Sequence, residues 1–353
     1  MGIERIEVRV GGKIFTAWEN VTVKAGFDEA CRGFSLKAAN ELGASATHAL
    51  FALGAAVQIL ANDDLLLDGY VTRRRPRFDS DSSSIAIIGK SKAVDLIECS
   101  TVHDTGDFTG MDPVQIGNAI SAGIAARFET DQQLEKIARW HLSQGKRIHA
   151  CVEEMCREQS MTLTGTAEGN VKITKAGTAR HAGGLYEGEN LLSAEADHDA
   201  SNRHSRIIVR GQRAVGHGPD ALEIEAVAQD ARVKRYRPLI ILQKDDTSKA
   251  RAKDRAENRR NRAAGNALRT DAEVQGFRDD AGAIWEPGRL IWTESETLGY
   301  AQDMLIESAE FQQDGKNGST CSLGLVDPRA YDGAKGKGNR SSDEYDLDDS
   351  DAE

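Results

Sequence analysis

The sequence predicts an α+β protein that is mainly β, with two strand-rich regions on either side of a small region of helices and strands. Apolar residues recur at every second position through much of residues 1–100, which is the period of strands. Between about residue 105 and residue 185 apolar residues recur at every third or fourth position, and after Ile207 the period of two returns. At 353 residues the chain is long enough for two or more domains.

The first region is predicted to be an antiparallel meander. Ile6, Val8 and Val10 alternate before the Gly11-Gly12 turn. Residues 73–84 contain Pro76 and three consecutive serines, which predicts a loop. The strands predicted in this region lie at 6–10, 21–23, 34–38, 57–59, 65–67, 70–71 and 85–88.

The stretch IAIIGKS, residues 85–91, ends in the Gly-Lys-Ser letters of a nucleotide-binding loop. That loop requires G-x-x-x-x-G-K-[ST], because its first glycine opens the turn around the phosphate, and Ser84 occupies this position. The apolar, mostly β-branched residues 85–88 favour an extended strand instead. The stretch therefore predicts a strand followed by a short helix over 93–97, without a phosphate site at Lys90.

The middle region contains clear helix signals. Asp112 is a helix N-cap residue and Pro113 suits the first helical position. Ile116, Ile120, Ile124 and Phe128 then recur at every fourth residue along one face. The other elements predicted here are a helix over 148–158 and a hairpin formed by 161–164 and 171–174.

Strands resume in the last third of the chain. Pro238 lacks an N–H, so the strand predicted over 235–242 should begin at this residue or lie at a sheet edge. Residues 248–264 predict a helix, and residues 333–353 have no apolar period, which predicts disorder. The remaining predicted strands lie at 207–209, 273–277, 284–285, 289–292, 304–306 and 323–326.

Composition indicates a globular protein made in a cytoplasm. Hydrophobic residues make up 39% and charged residues 29% of the chain. No run approaches the roughly 18 apolar residues that a membrane span needs. The N-terminus MGIERIEVRV lacks the apolar core of a secretory signal. The five cysteines are odd in number and include no C-x-x-C pair, which favours reduced thiols.

Negative charge is concentrated at the C-terminus. The net charge is −11, and residues 343–353 alone contain seven carboxylates, which leaves −4 for residues 1–342. An acidic body does not attract nucleic acid. It would suit a wall that DNA passes without binding, because repulsion keeps the polymer from adhering.

Two groups of residues have side chains suited to metal binding or catalysis. His141, His149, Cys151 and Cys156 are of metal-ligand type, but they lack the close cysteine pairs of zinc sites. Buried cysteines without a metal are the preferred interpretation. The second group lies in residues 194–205, which are predicted to form a loop, and consists of Asp197, His198, Asp199 and His204.

The Asp197 to His204 group could serve acid–base catalysis, because histidine titrates near neutral pH and a carboxylate can orient it. The alternative is a solvated loop between strands. No nucleophile elbow and no H-E-x-x-H motif accompanies the group. We therefore predict that the chain contains no catalytic, metal-binding or cofactor-binding residues and needs no cofactor.

The predicted helix 248–264 has an alanine face and an arginine face. A surface that stacks nucleic-acid bases would need aromatic residues between the arginines, and the helix has none. A solvated face is the simplest alternative. A subunit interface is favoured over DNA, because alanines permit close backbone approach and arginines pair with a neighbour's carboxylates. The candidate interface residues are Arg251, Arg255, Arg259 and Arg262.

Five stretches, taken in order, resemble one protein family. They are DGYVTRRRP, GKSKAVDLIECS, RYRPLIILQKDD followed by the basic helix, VQGFRDDAGAIWEPGRLI and SLGLVDPRAY. Their order and spacing are similar to those of the Mu-type baseplate hub proteins of contractile phage tails. These are relatives of the late-control gene D proteins and of the central hub of the T4 baseplate. The resemblance covers residues 1–332.

The resemblance implies a domain organisation and an assembly. Two similar antiparallel β-barrel-like domains, at 1–104 and 189–332, would flank a small α+β domain at 105–188. The helix 248–264 would be inserted in the second of these, and an acidic tail at 333–353 would follow. Three copies would form a ring in which six similar domains surround a channel.

The resemblance also implies a structural function without enzymatic activity. The hub would join the six-fold tail tube to the three-fold central spike and form part of the conduit for DNA. The expected location is the tail baseplate of a virion. The expected partners are two further copies of the chain, the spike protein, a tail tube or tube-initiator protein and neighbouring baseplate proteins, with DNA passing unbound and no membrane insertion.

Other functions remain open at this point. The chain would serve equally as the hub of a non-viral contractile injection system. A hydrolase using the Asp197 to His204 group is a second alternative. A receptor-binding module that stacks ligands on Trp18, Trp285 and Trp292 is a third, although their positions in strand patterns favour packing in a core or interface.

Overall fold

The chain divides into two compact units, each assembled from three stretches. The computed structural model describes residues 4–39, 47, 49–78, 80, 83–177, 179–212, 224–243 and 247–332. Unit 1 comprises Met1–Lys175, Glu273–Gly288 and Ile306–Leu323, and unit 2 comprises Ala176–Ala272, Arg289–Leu305 and Gly324–Glu353. The segment 333–353, predicted to be disordered, lies outside the described residues.

Unit 1 begins with an antiparallel sheet whose strand order is β3-β4-β7-β6-β5-β1-β2. The alternation predicted at Ile6, Val8 and Val10 is confirmed, because all three side chains are buried. Asn62, at φ 55°, and Asp63 connect two of these strands as a hairpin. The strands are β1 Ile6–Val10, β2 Lys13–Phe15, β3 Trp18–Gly26, β4 Gly33–Ala39, β5 Ala56–Ala61, β6 Asp64–Phe78 and β7 Ser83–Ser91.

The prediction of a loop over residues 73–84 was wrong in extent. β6 continues to Phe78 and β7 begins at Ser83, so most of this stretch is strand. Pro76 pairs with Ile85 of β7, whereas β5 accompanies β6 only as far as Tyr70. Pro76 therefore lies where β6 has one described neighbour, and an edge tolerates a residue without an N–H.

The stretch IAIIGKS is a strand, as predicted. Residues 85–91 belong to β7, and Ile85 and Ile87 are buried in the sheet. Lys90 Nζ lies 3.2 Å from Glu98 Oε1, so its ammonium group pairs with a carboxylate of this chain. The backbone here is extended and paired on both sides, which leaves no turn of N–H groups to surround a phosphate.

The middle of the chain adds a small α+β subdomain to unit 1. Asp112 Oδ1 accepts the Gln115 N–H at 2.9 Å, and Gln115 Oε1 accepts the Asp112 N–H, so the predicted N-cap is a full capping box. The helix face predicted from Ile116 to Phe128 is too long, because this helix ends at Ile120 and Phe128 lies on a strand. The second predicted helix is confirmed with the same bounds. The elements are α1 Val94–Glu98, β8 Asp107–Phe108, α2 Pro113–Ile120, β9 Phe128–Thr130, β10 Trp140–His141, α3 Ile148–Glu158, β11 Thr162–Gly165 and β12 Val171–Thr174.

The core of this subdomain lies between α2, α3 and the sheet β11-β12-β9. Ile116 and Ile120 of α2 pack with Phe128 of β9 and Val152 of α3. A Cβ added at Gly117 would lie 2.7 Å from the Phe128 ring, so the helix approaches the ring closely because this position has no side chain.

Unit 2 contains two groups of paired strands and one long helix. β13 pairs with β19 in parallel, and β19 pairs with the first part of β20. A separate sheet has the order β16-β15-β17. The elements are β13 Arg180–Tyr186, β14 Leu191–His198, β15 Arg206–Gly211, β16 Ile224–Gln229, β17 Pro238–Leu242, α4 Lys249–Gly265, β18 Leu268–Gln275, β19 Leu290–Ser295, β20 Tyr300–Asp314, β21 Gly318–Val326 and α5 Arg329–Asp332.

The strands β18, β20 and β21 each contribute residues to both units. In unit 1 the residues Ser308 to Asp314 of β20 pair with β3. The strands predicted at 304–306 and 323–326 were correct in type but too short, and β18 begins at Leu268, before the predicted start at 273. The predicted strand at 284–285 is an isolated bridge between Arg278 and Ile284.

The mainly β class is confirmed, but the barrel-like domains are not. None of the sheets formed by the described residues closes on itself. Among the described strands, β2 at the end of the unit 1 sheet pairs only with β1. A barrel requires its two end strands to pair. The predicted domain division into 1–104, 105–188 and 189–332 stays a prediction.

We expect the stability of unit 2 to fall in acid partly through Glu187. Its carboxylate accepts hydrogen bonds from Ser295 Oγ at 2.6 Å and from the Thr297 N–H at 3.0 Å. These bonds lower the pKa of Glu187 from its ordinary 4.5 to about 2. Because the folded pKa is depressed, the stabilisation is present above about pH 4.5 and is lost as the pH falls towards about 2.

Urea unfolding at about pH 6 and about pH 3 measures this effect. The Glu187→Gln variant should lose less stability between the two pH values than the unmodified chain. Glu189→Gln is the control, because Glu189 is also exposed and lies in the same turn. Equal acid sensitivity in all three proteins would contradict the assignment to Glu187.

Candidate assembly interface

The candidate interface is built on α4, an alanine- and arginine-rich helix. Ser248 caps it by accepting the Arg251 N–H at 3.3 Å, and the helix ends at Gly265. The helix predicted over 248–264 is thus confirmed within one residue at each end. Alanine and arginine are both good helix formers, so the composition explains the helix without a wide apolar stripe.

The alanine face of α4 packs inside unit 2. Ala252 and Ala256 are fully buried against Ile207 and Val209 of β15 and Ile224 of β16. Small side chains let the helix lie close to the sheet, whereas the sequence favoured this close approach at a subunit interface. The close approach is made to this chain's own sheet, so the alanines are not available to a neighbouring subunit.

The four candidate arginines form a stripe beside the alanine face. We call Arg251, Arg255, Arg259 and Arg262 the arginine stripe. They lie at intervals of three or four residues, which places them on one side of the helix. Arg251, Arg255 and Arg262 are exposed and Arg259 is half-buried. Arg255 Nη1 donates to Gln243 Oε1 at 2.7 Å, which holds its guanidinium near the end of β17.

The sheet beside α4 has an apolar outer face. Ile208 of β15 lies opposite Val227 of β16 and opposite Ile240 of β17, on the side away from the alanines. Ile240 is 51% exposed and Leu242 69% exposed. Val227 is 36% exposed, whereas Ile208 between the two outer strands is only 9% exposed. Exposed apolar side chains such as Val227, Ile240 and Leu242 are typical of a surface that another protein covers. We call this row, Val227, Ile208, Ile240 and Leu242, the outer face.

Strand β17 lies at an edge of this sheet. It pairs with β15 in parallel from Pro238 onward, and its other edge has no described strand beside it. The prediction that Pro238 begins its strand is confirmed. Such an edge offers backbone N–H and C=O groups to a partner strand.

Charged side chains surround the outer face in pairs. Arg210 Nε lies 2.7 Å from Glu225 Oε2, and both side chains are partly exposed. Arg203 holds Asp230 with two hydrogen bonds of 2.8 and 2.7 Å, and both side chains are nearly buried. The second pair fixes the turn that follows β16, since a bidentate arginine fixes direction as well as distance.

The structure does not bring the metal-ligand types together. His141 Nδ1 lies 3.0 Å from Asp107 Oδ1 on β8, whereas His149 lies beside Glu153 of its own helix. Cys151 and Cys156 are buried in the subdomain core. Burial raises the pKa of Cys156 to about 12 and also raises that of Cys151, so both thiols stay protonated, whereas zinc takes the thiolate.

The Asp197 to His204 group does not form a catalytic arrangement. Asp197 and His198 lie on β14 and not in the predicted loop. His198 Nε2 lies 3.0 Å from the Leu298 carbonyl oxygen, and His204 Nδ1 lies 3.0 Å from that of Asn202. Asp199 accepts hydrogen bonds from the N–H and hydroxyl of Ser201. His198 thus contacts a turn 100 residues away, whereas Asp199 and His204 contact residues of their own loop.

Trp285 is buried, as preferred from the sequence, and the other two tryptophans considered there are partly exposed. Trp285 is 5% exposed, and Trp18 and Trp292 are half-buried. Trp292 Nε1 donates to Glu294 Oε2 at 3.1 Å along its own strand. Stacking platforms for ligands present an open ring face, and Trp285 has none.

Four family descriptions match successive parts of the chain. Their matches reach from residue 5 to residue 334, and all concern baseplate or tail proteins. They are Mu phage baseplate assembly protein GpP-like, N-terminal, at 5–91; baseplate hub protein gp44-like, second domain, at 93–175; tail protein NMB1110-like, third domain, at 203–259; and Mu phage baseplate assembly protein GpP, fourth domain, at 248–334.

Individual proteins show the same relation. Baseplate hub protein gp44 of Escherichia phage Mu is 26% identical over 318 residues, which are 86% of this chain and 82% of that protein. The 43 kDa tail protein of prophage MuSo2 from Shewanella oneidensis has a TM-score of 0.82 at 25% identity, covering 93% of this chain and 99% of that one. The tail protein from Neisseria meningitidis MC58 shares the fold, with a TM-score of 0.76 at 16% identity over 94% of this chain and 99% of that one.

Fold and matches together define a structural protein of a phage tail baseplate, and so a component of the virion. The chain belongs to the Mu-type baseplate hub proteins, as the five sequence stretches indicated. No helix among the described residues is both long enough and apolar enough to cross a membrane.

Proposed function

We propose that three copies of this chain form a ring at the centre of the baseplate. The ring joins the six-fold tail tube to the three-fold central spike and forms part of the channel through which DNA leaves. The observation that carries the proposal is the match to the Mu baseplate hub protein over most of both chains.

Symmetry gives the physical reason for a ring of three. A tube with six-fold symmetry and a spike with three-fold symmetry cannot share one set of equivalent contacts. A chain with a strand-rich domain at 1–104 and a similar one at 189–332 presents six similar surfaces when three copies close into a ring. The strand-rich stretches at both ends of this chain support the proposal.

The proposed hub has no enzymatic activity and binds no cofactor. Support comes from the two groups considered as sites. The histidines of one group contact backbone carbonyl groups, and the thiols of the other are held protonated in a core. The hub acts mechanically, by holding spike and tube until the sheath contracts.

The arginine stripe and the outer face, which lie on opposite sides of the sheet, are the proposed contacts to the neighbouring copies. The outer face supplies apolar area, and the stripe supplies guanidinium groups that pair bidentately with carboxylates. The body of the chain is acidic, so a neighbour offers such carboxylates. Lysines would not replace the arginines equally, because an ammonium group binds as a point charge.

Light scattering during size exclusion tests the proposed function. The chain alone, and mixed with a central spike protein, should give the mass of a trimer or of a trimer bound to spike. A mass of one chain under both conditions, over the whole accessible concentration range, would refute the ring. A spike-free complex with a tube protein from an injection system would favour the non-viral alternative.

Charge reversal within the stripe should weaken the ring. We expect Arg255→Glu/Arg259→Glu to raise the dissociation constant of the trimer at least about tenfold, because interface charge reversal costs more than about 1.4 kcal/mol. Lys249→Glu/Lys253→Glu is the matched control, since it makes the same charge change on α4 outside the stripe. Equal trimer formation by both variants would remove the stripe from the interface.

A further inference from the structure

The last described helix, α5, lies beside the C-terminal end of α4. Gly265, the last residue of that helix, packs against α5: a Cβ added there would lie 2.2 Å from the Ala330 nitrogen. Arg329 makes two hydrogen bonds to the fully buried Asp327, at 3.0 and 2.9 Å, which fixes the start of α5. The segment beyond Asp332 therefore starts next to the arginine-bearing helix.

That segment has an uneven charge. Residues 333–342 are rich in glycine and contain Lys335, Lys337 and Arg340. Residues 343–353 contain seven carboxylates and no lysine or arginine, and we call them the acidic segment. The stripe on α4 carries the opposite charge and belongs to the same unit.

The length of the linker suits a contact within one chain. Ten residues, 333–342, separate Asp332 from Asp343, so the two are eleven positions apart. A glycine-rich chain of that length has a root-mean-square reach of about 18 Å. At 1.5 Å per residue, Arg262 lies about 5 Å and Arg251 about 21 Å along α4 from Gly265. The linker thus delivers the acidic segment to the stripe without being fully extended.

We propose that, in the unassembled chain, the acidic segment binds the arginine stripe of the same chain. Tethering at such a distance gives an effective concentration of the order of millimolar, so weak contacts suffice. A single exposed ion pair contributes little, but four arginines facing seven carboxylates act as a network. The binding should weaken with salt, because exposed charges are screened.

This inference rests on the proposed function in one respect, because the stripe is also the proposed subunit contact. The acidic segment would cover the stripe in the separate chain and give way to a neighbour in the ring. It would thus keep newly made chains from assembling before the baseplate is ready. Binding within one chain is tested under conditions where no trimer forms.

The test measures how fast phenylglyoxal modifies individual arginines, read by peptide mass spectrometry. It compares the full-length chain with a full-length variant in which the seven carboxylates of 343–353 become Asn or Gln. Light scattering selects concentrations at which both are monomeric. Arg73, Arg75 and Arg77 of β6 are internal controls, because they are exposed and lie in unit 1.

We expect the stripe arginines to react roughly threefold more slowly in the unmodified chain, as occupancy of about two thirds requires. The difference should vanish in about 1 M salt, where the Debye length is about 3 Å. The control arginines should react equally in both proteins. Equal rates at the stripe, or an equal slowing at stripe and controls, would overturn the proposal.

Protection that appears only as the protein concentration rises would also overturn it, because the contact would then lie between chains. That outcome leaves the proposed ring intact. Conversely, protection in the monomer together with failure to form any trimer would refute the ring and leave the contact within the chain intact. The two proposals therefore fail by different measurements.

Discussion

Replacing Arg180 by methionine is expected to destabilise unit 2 by about 3–5 kcal/mol, the largest effect that we predict for one side chain. Arg180 of β13 donates hydrogen bonds to both carboxylate oxygens of Asp303 of β20, from Nη1 to Oδ1 at 2.6 Å and from Nη2 to Oδ2. The Asp303 side chain is 0% exposed, whereas that of Arg180 is 40% exposed. Methionine keeps the apolar stem but removes the guanidinium group that binds the buried carboxylate at both oxygens.

Denaturant unfolding of matched variants measures this effect. Arg210→Met removes the same group from an exposed pair with Glu225 in the same unit, and should cost no more than about 1 kcal/mol. The double variant Arg180→Met/Asp303→Asn should recover part of the loss, because a neutral amide is less costly to bury than a carboxylate. If Arg180→Met and Arg210→Met lose equal stability, the buried pair has no special role.

Gly69→Ala should destabilise unit 1 by about 3 kcal/mol, at the upper end of overpacking effects. Gly69 of β6 lies opposite Ser91 of β7. A Cβ added to Gly69 would lie 2.0 Å from the Lys90 carbonyl oxygen and 2.6 Å from the Ser91 Cα. Both are backbone atoms of a paired strand, so no side-chain rotation relieves the clash. The two strands would have to separate.

The control is Gly33→Ala in β4 of the same sheet. A Cβ at Gly33 meets its nearest atom, the Gly89 carbonyl oxygen, at 3.9 Å, which is an ordinary contact. We expect this variant to be unchanged or stabilised by about 0.5 kcal/mol, because alanine loses less backbone entropy than glycine. Thermal unfolding that ranks Gly33→Ala below Gly69→Ala would contradict the steric argument.

Elements with strong local signals could be predicted from the sequence. The bounds of α3 follow from Ile148, Val152, Met155 and Cys156, which share one buried face. The start of α2 follows from Asp112 and Pro113, whose capping chemistry is local. Such signals need no knowledge of distant neighbours, so reasoning along the chain suffices.

Elements that depend on distant partners could not be predicted. Pro76 and the serines after it indicate a loop locally, but pairing with β7 keeps the chain extended to Phe78. His198 appeared to be in a polar loop, yet β14 ends at it because β14 pairs with β18, far along the chain. Open sheets were missed for the same reason, since closure depends on which end strands meet.

The candidate interface was predictable in composition but not in orientation. The residues 248–264 predicted a helix with separate alanine and arginine faces, and α4 has both. The sequence did not indicate that the alanines pack on β15 and β16 of the same unit. It also gave no sign of the outer face, because alternation marks two faces of a strand without saying which one a helix covers.

The threading of β18, β20 and β21 through both units has a consequence for biosynthesis. The strand that lies beside β3 includes Asp314, and unit 1 ends only at Leu323. A ribosome must therefore finish nearly the whole polypeptide before either half can complete its hydrogen-bonded ladder. Both halves of a newly made chain would therefore complete their folding late in translation and at nearly the same time. A gene fragment that ends at residue 175 would encode an incomplete unit 1.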